Sequence, residues 1–323
     1  MNVATPNLDT SLPWLQQDQG LDAAVFRLIS EYKKAKTNKK SNQLPAKKEA
    51  SLRRQYKDAK QSRSPAGKFM RALADAIGFE DPESAYIIAN MKDWERAKEK
   101  FAEAARNTSD LGRGRIYLNS LDDYESFMSL LSSKRRDGTV TRIKSHGVKI
   151  IPDSISNYLE SARKSGFAGS VNFDVKIDVG KGRHGKFEVQ VMPHAYQEVD
   201  KISHFLFDMI RILEEVKESY LTEEDKRVMD SLILANQALF IEHGIRSGFV
   251  SLRKDKLPQI NDERLKESLG ILDRIWTELG NISGRRFAWI DQTRQAMTEA
   301  KTSLTNINLA QKNKHFTPGG YAV

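Results

Sequence analysis

Asp110-Leu-Gly-Arg-Gly-Arg115 runs directly into an apolar, strand-forming stretch that ends near Asn119. Much later, Phe187-Glu188-Val-Gln190-Val191 places a second carboxylate within another strand candidate. If the two strands pair in one sheet, Asp110 and Glu188 can share a divalent cation beside a cluster of arginines, the layout of a phosphoryl-transfer site. A Mg²⁺ that bridges phosphate oxygens takes one or two protein carboxylates and leaves the rest to water and substrate. Arg113 and Arg115 flank Gly114, so on a strand they point the same way. Two such cations repel unless an anion lies between them, and a triphosphate is such an anion. Two ordinary surface carboxylates give the same letters, and that alternative stays open.

Further cations sit nearby in sequence. Glu83 to Arg106 carries a helical pattern, with Lys92, Arg96, Lys98 and Lys100 on its polar side. A solvated face paired with Glu95, Glu99 and Glu103 is the other reading. Arg142 and Lys144 have the two-residue spacing of one strand face, as does any basic edge strand. Gly166-Phe167-Ala-Gly169 offers a close backbone approach and an aromatic for stacking on a base; a core phenylalanine reads identically. His184, His194 and His204 recur every ten residues, which is no zinc-ligand spacing. His204 shares a helix face with Phe207 and Arg211. Gly180-Lys-Gly-Arg-His-Gly185 lacks the Gly-Lys-Ser/Thr ending of a Walker loop and reads as a hairpin tip. No nucleophile elbow is present.

The elements that must hold these residues follow from periodicity. A short amphipathic helix is expected over Leu21–Tyr32. Lys33 to Arg63 has twelve Lys or Arg against Glu49 and Asp58. That composition reads as a solvated, partly helical arm or, more sharply, as an RNA- or phosphate-binding arm. Gln61–Gly67 reads as a linker and Phe69–Ile77 as a short helix. Ser120 is a good N-cap for a helix over Leu121–Ser132, with Asp122 and Asp123 in its first turn. Strands are expected over Thr139–Lys144, Val148–Ile151, within Gly166–Asp178, and over Lys186–Met192. A helix is expected from Pro152 to Lys164, and Pro193 opens another that runs to about Tyr220. The remainder is helical over Glu223–Gly244, Asp262–Leu279 and Ser283–Leu309, ending in a frayed tail around Phe316–Gly320. The fold class is α+β, a mixed β-sheet with flanking helices. Its expected parts are a basic, partly helical extension (1–66), a central domain (67–220) and a helical C-terminal region (221–323).

Bulk composition bounds the function. Lys plus Arg exceed Asp plus Glu by 52 − 43 = 9, which favours polyanionic partners without choosing among them. With no cysteine, disulfides and Cys-based zinc sites are excluded. No apolar run approaches ~18 residues, so no membrane span is expected. Met1–Gly20 lacks the basic start and apolar middle of a signal peptide, and a cytoplasmic site of action is the expectation.

Taken in order, these pieces resemble the synthetase domain of the RelA/SpoT family, in a diverged form, over about residues 85–215. The residues that carry the resemblance are Trp94-Glu-Arg-Ala-Lys-Glu-Lys100, then Asp110-Leu-Gly-Arg-Gly-Arg115, Asn119-Ser-Leu-Asp-Asp123 and Val140-Thr-Arg-Ile-Lys144. Gly166-Phe-Ala, Glu188-Val-Gln190 and His204-Phe-Leu-Phe207-Asp-Met-Ile-Arg211 complete them. The resemblance implies a nucleotidyltransferase-like fold and transfer of pyrophosphate from ATP to a ribose 3′-hydroxyl of GDP, GTP, an adenine nucleotide or a tRNA end. By position it implies that Asp110 and Glu188 hold Mg²⁺, that Glu188 activates the hydroxyl, and that Arg115 acts with them. Arg113, Arg115, Lys92, Arg96 and Lys98 would contact ATP or its phosphates, and Arg142 and Lys144 would serve phosphates. Gln190, His204 and Arg211 would line the nucleotide site, and Phe167 would stack on the acceptor base.

The sequence departs from the family pattern at Phe167 (usually Tyr), Ala168 (usually Arg), Ser145 (usually acidic or amide) and Asn172 (usually His). The acceptor is therefore left open. No His-Asp hydrolase motif of the alarmone-degrading kind is present. A toxin or phage-encoded role fits the same reading. The rivals are a catalytically degenerate module that binds nucleotide or RNA without chemistry, and a basic RNA-binding or structural protein whose carboxylates merely balance charge.

Overall fold

This computed structural model describes residues 19–37, 44–95, 97–98, 101, 111–144, 146–216, 220–254, 257–279 and 285–314, with backbone alone for 285–290 and 307–314. In chain order the elements are α1 (Gln19–Thr37), α2 (Ala46–Ile77), β1 (Tyr86–Ile88), β2 (Arg113–Leu118), α3 (Leu121–Ser132), β3 (Val148–Ile150) and β4 (Ser156–Asn157). They continue with β5 (Val171–Gly180), β6 (Arg183–Pro193), α4 (Gln197–Glu214), α5 (Glu223–Ser247), α6 (Asp262–Leu279) and α7 (Arg285–Lys314). The class is α+β, with helices flanking a mixed sheet, as expected. Two compact units divide the chain. One gathers Met1–Thr37, Phe205–Ala235 and Gln259–Val323; the other gathers Asn38–His204 and Asn236–Pro258.

The second unit contains the sheet, ordered β1-β2-β6-β5-β3, with β4 also on β5. β2 and β6 run parallel, and the other pairs are antiparallel. Strict alternation decides which side chains go where. Phe173, Val175, Phe187, Val189 and Val191 are fully buried on one face. α2 covers that face with Ala66, Phe69, Met70 and Leu73, also buried. The approach is close: a Cβ on Gly185 would stand 1.8 Å from Ser62 Oγ, and one on Gly114 2.6 Å from Met70 Sδ. β5 and β6 are joined through Lys181 and Gly182, both with positive φ (53° and 67°), as a two-residue hairpin turn of the twist-matching kind requires. α3 is bounded as expected, with the Ser120 hydroxyl accepting from the Asp123 N–H and the Asp123 carboxylate accepting from the Ser120 N–H.

Four expectations are corrected. Gln61–Gly67 is no linker but the middle of α2, which continues through Pro65 because its inner face is anchored on the sheet. The expected helix over 83–106 begins later: Tyr86–Ile88 is an edge strand paired antiparallel to β2, and helical residues first appear at Trp94. Tyr-Ile-Ile suits a pleated strand better than a helix, and β2 offers it a partner. Thr139–Lys144 is not a strand; it makes one isolated bridge, Lys134 to Val140, and then turns. Pro152–Lys164 forms only the single turn Pro152–Ser154 and the short β4, because Ser154 Oγ takes the Asp174 N–H and ties the segment to β5.

The other unit is helical. Phe205 stacks on Trp276 (5.2 Å between centroids) and meets Tyr32 edge-on, while Arg27 pairs with Asp225 (2.9 Å) and Arg274 with Asp22 (3.2 Å). Among the described residues no helix is long and apolar enough to cross a membrane.

Candidate active site

The sheet's second face is polar. Register lays it out as three rows across the strands. Lys149, Lys176 and Lys186 stand opposite one another on β3, β5 and β6. Two residues along, Asp174 of β5 faces Glu188 of β6, which in turn faces Arg113 of β2. In the next row Asn172, Gln190 and Arg115 line up in the same way. Ile87 of β1 lies beside Arg115 at the edge and is half exposed. The pairing of the two motif strands, on which the sequence reading is conditioned, is present, and the Arg-Gly-Arg spacing has a physical reason. Both arginines rise from the polar face, and Gly114 between them admits Met70 of α2 on the other.

A continuous hydrogen-bonded chain runs through the site. Asp200, in the first turn of α4 and buried, accepts from Arg115 Nη1 at 2.7 Å. Arg115 Nε donates to Gln190 Oε1 at 2.8 Å, and Gln190 Nε2 donates to Glu188 Oε1 at 2.6 Å. Burial works against the charge of Arg115. The charge and hydrogen bond of Asp200, together with those of Tyr117, outweigh it, so the guanidinium is held as a cation even more firmly than usual.

The other residues expected to act fall into three groups. Asp110 and Arg96 lie outside the described residues. Lys92 and Lys98 do not share a helix: Lys92 lies in an extended segment whose carbonyl accepts from Tyr56 Oη (2.9 Å), and Lys98 pairs with Glu95 (2.6 Å). Arg142 and Lys144 are exposed on the 141–144 turn, where strand alternation does not align them; Arg142 donates to Ser129 Oγ (2.9 Å). Phe167 is half-buried and wedged edge-on between Tyr158 and Phe240, with the Arg163 guanidinium 5.5 Å from its ring and 4.1 Å from that of Tyr158. His204 is largely exposed, its Nε2 3.7 Å from the second oxygen of Asp200. Arg211 belongs to the helical unit and pairs with Glu215 (3.0 Å).

Sequence reasoning missed Asp200, Asp174 and Arg163. Asp200 stands among Val199, Ile202 and Ser203, all buried, and a carboxylate inside a buried stretch is the signal that marks it. Asp174 was visible as a polar position of an alternating strand. Only the strand register sets it against Glu188.

No protein-family model matches the chain, and no curated protein does either. Among solved structures, the small alarmone synthetase 1 from Bacillus subtilis, in a crystal structure bound to AMPCPP, matches at 15% identity. The match covers 61% of this chain and 94% of that one, with a TM-score of 0.34. A likeness at that level assigns no residue and no activity to this chain.

Proposed function

We propose that this protein transfers pyrophosphate from ATP to a ribose 3′-hydroxyl of a guanine or adenine nucleotide or of a tRNA end. The observation that carries the reading is the polar face itself. It sets Glu188 between Asp174 and Arg113 and fixes it through Gln190 and Arg115. In this reading Glu188 takes the proton of the attacking hydroxyl. The hydroxyl oxygen then bonds to the β-phosphorus of ATP, the bond from that phosphorus to the α-phosphate oxygen breaks, and AMP leaves with the bond electrons. Such a reaction needs mainly positioning and charge neutralisation. Arg113 and the exposed Lys176 and Lys186 supply cations on the same face.

The donor chemistry fits Mg²⁺. Glu188 and Asp174 are hard oxygen donors in facing register, with Asp110 the third carboxylate the sequence points to. When bound, the ion would neutralise charge on the phosphate oxygens. The reading assigns this chemistry to the 67–220 region. The exposed cations of α2, Arg54, Lys57 and Lys60, would meet the phosphates of an RNA acceptor.

One observation favours the alternative of a nucleotide-binding module without chemistry. Phe167, the expected base platform, is already engaged on two sides by Tyr158 and Phe240.

The test is incubation of the purified protein with Mg²⁺ and γ-³²P-ATP, offering GDP, GTP, ADP, AMP and bulk tRNA separately. A labelled product made by the wild type and not by Glu188→Gln supports transfer and names the acceptor class. Folded protein that binds ATP and labels nothing moves the reading to the binding module.

A further inference from the structure

We infer that Asp200 is a positioning residue that orients Glu188 from a distance, through Arg115 and Gln190; this rests on the reading of Glu188 as the group that takes the acceptor proton. Three observations lead there. Asp200 is buried, and a buried carboxylate is tolerable only with a fixed partner, which Arg115 provides at 2.7 Å. With Nη1 held there, the planar guanidinium has no freedom to turn, so its Nε–H points at Gln190.

That contact decides the orientation of the Gln190 amide. Its oxygen must face the guanidinium, since the alternative sets donor against donor. The NH₂ is then left to donate to Glu188 Oε1 at 2.6 Å. Polarity therefore runs one way, from carboxylate to cation to amide to carboxylate. It pins one oxygen of Glu188 and leaves the other without a partner among the described residues. Arg115, committed to Asp200, acts inside the protein rather than as a phosphate ligand, and Arg113 is the arginine left to meet an anion. His204 takes no part in the chain, because 3.7 Å is beyond a hydrogen bond.

The experiment uses the full chain and two readouts. The first is the ¹H–¹⁵N signal of Arg115 Nε, assigned by its disappearance in Arg115→Lys. In the wild type it is slow to exchange, and in Asp200→Asn that protection is lost. The second is kinetic. Asp200→Asn and Gln190→Met lower kcat on the order of 10–100-fold while the KM for ATP changes less than about threefold, because orientation is lost and phosphate contacts are kept. Gln190→Met breaks the chain in its middle with the buried ion pair intact, so it decides the matter if Asp200→Asn fails to fold. Asp200→Glu restores part of kcat.

The inference is overturned if Arg115 Nε stays protected in Asp200→Asn. It is also overturned if Gln190→Met keeps full kcat, or if Asp200→Asn raises KM and spares kcat. If the wild type makes no product with any acceptor, pyrophosphate transfer fails as a reading. The NMR signal then still decides whether Asp200 holds Arg115.

Discussion

The two faces of the sheet are built from the same strands and obey opposite rules. Phe187 and Glu188 are neighbours in sequence, yet Phe187 is fully buried under α2 and Glu188 sits half-buried among Asp174, Arg113 and Gln190. One face is chosen by volume, the other by charge and hydrogen-bond polarity. A period of two thus lets each strand give the core one residue and the polar face the next. On the helix-covered face even glycine is a packing residue, since Gly114 and Gly185 make room for α2. On the polar face, like charges stand directly opposite each other at Lys176 and Lys186, an arrangement that costs stability and attracts anions.

This contrast can be broken from either side. Glu188→Gln should reduce pyrophosphate transfer on the order of 10²–10⁴-fold and leave the thermal midpoint nearly unchanged, as steady-state assays and a melting curve on the same sample will show. Its neighbour should do the reverse. Phe187→Ala should cost about 3–5 kcal/mol in urea unfolding, read from the shift in midpoint, while protein that remains folded keeps the activity proposed for the polar face. Gly114→Ala lies between the two arginines but reports on the other face. Its Cβ would meet Met70 Sδ and the Ile87 carbonyl, and a loss of about 1–3 kcal/mol is expected; a neutral result would mean that α2 does not press on β2. Lys176→Glu should stabilise by roughly 0.2–1 kcal/mol by ending the facing lysine pair, while weakening ATP binding. Stabilisation without weaker binding would remove the lysine row from the site.

The smallest effect concerns the helical unit and pH. Burial raises the Asp225 carboxyl, but hydrogen bonds from Thr222 and Arg27 and the Arg27 charge outweigh it, so it is held below the usual carboxylate range. A depressed carboxyl stabilises fully above the unfolded value and loses that contribution as pH falls through the folded one. Below about pH 4, therefore, the wild type should lose thermal stability more steeply than Asp225→Asn. Parallel curves would show the pair to be inert.

Much of the fold was legible locally. α3 was readable from Ser120 and Asp123, the β5 and β6 strands from alternation, and α6 from periodicity with matching ends. What failed was decided by tertiary contacts. Pro65 reads as a break, yet α2 passes through it because Asp58, Ala59, Ser62 and Ala66 are buried along its inner face. Tyr86–Ile88 fits a helical pattern until β2 supplies a hydrogen-bonding edge. At the site, the sequence posed the pairing of the Arg113–Leu118 and Glu188 strands only as a condition, and the register meets it. Arg142 and Lys144 were placed on a strand face that the structure does not have, while Phe167, read as either a base platform or a core ring, sits half-buried between Tyr158 and Phe240. Asp200 and Asp174 were visible as polar positions, but what they pair with was out of reach because their partners lie on other elements.

The parallel pairing of β2 with β6 also has a temporal consequence. Asp174 and Glu188 belong to one hairpin and can meet as soon as that hairpin closes, on a microsecond scale. Arg115 and Gln190 lie 75 residues apart, so at ribosomal speed Arg115 waits roughly 4–15 s before its partner is even synthesised. Until that long-range crossover closes, the acidic pair exists without its arginines. On the proposed reading, a chain in which that crossover has not closed lacks the Arg115–Gln190–Glu188 hydrogen bonds that fix the carboxylate.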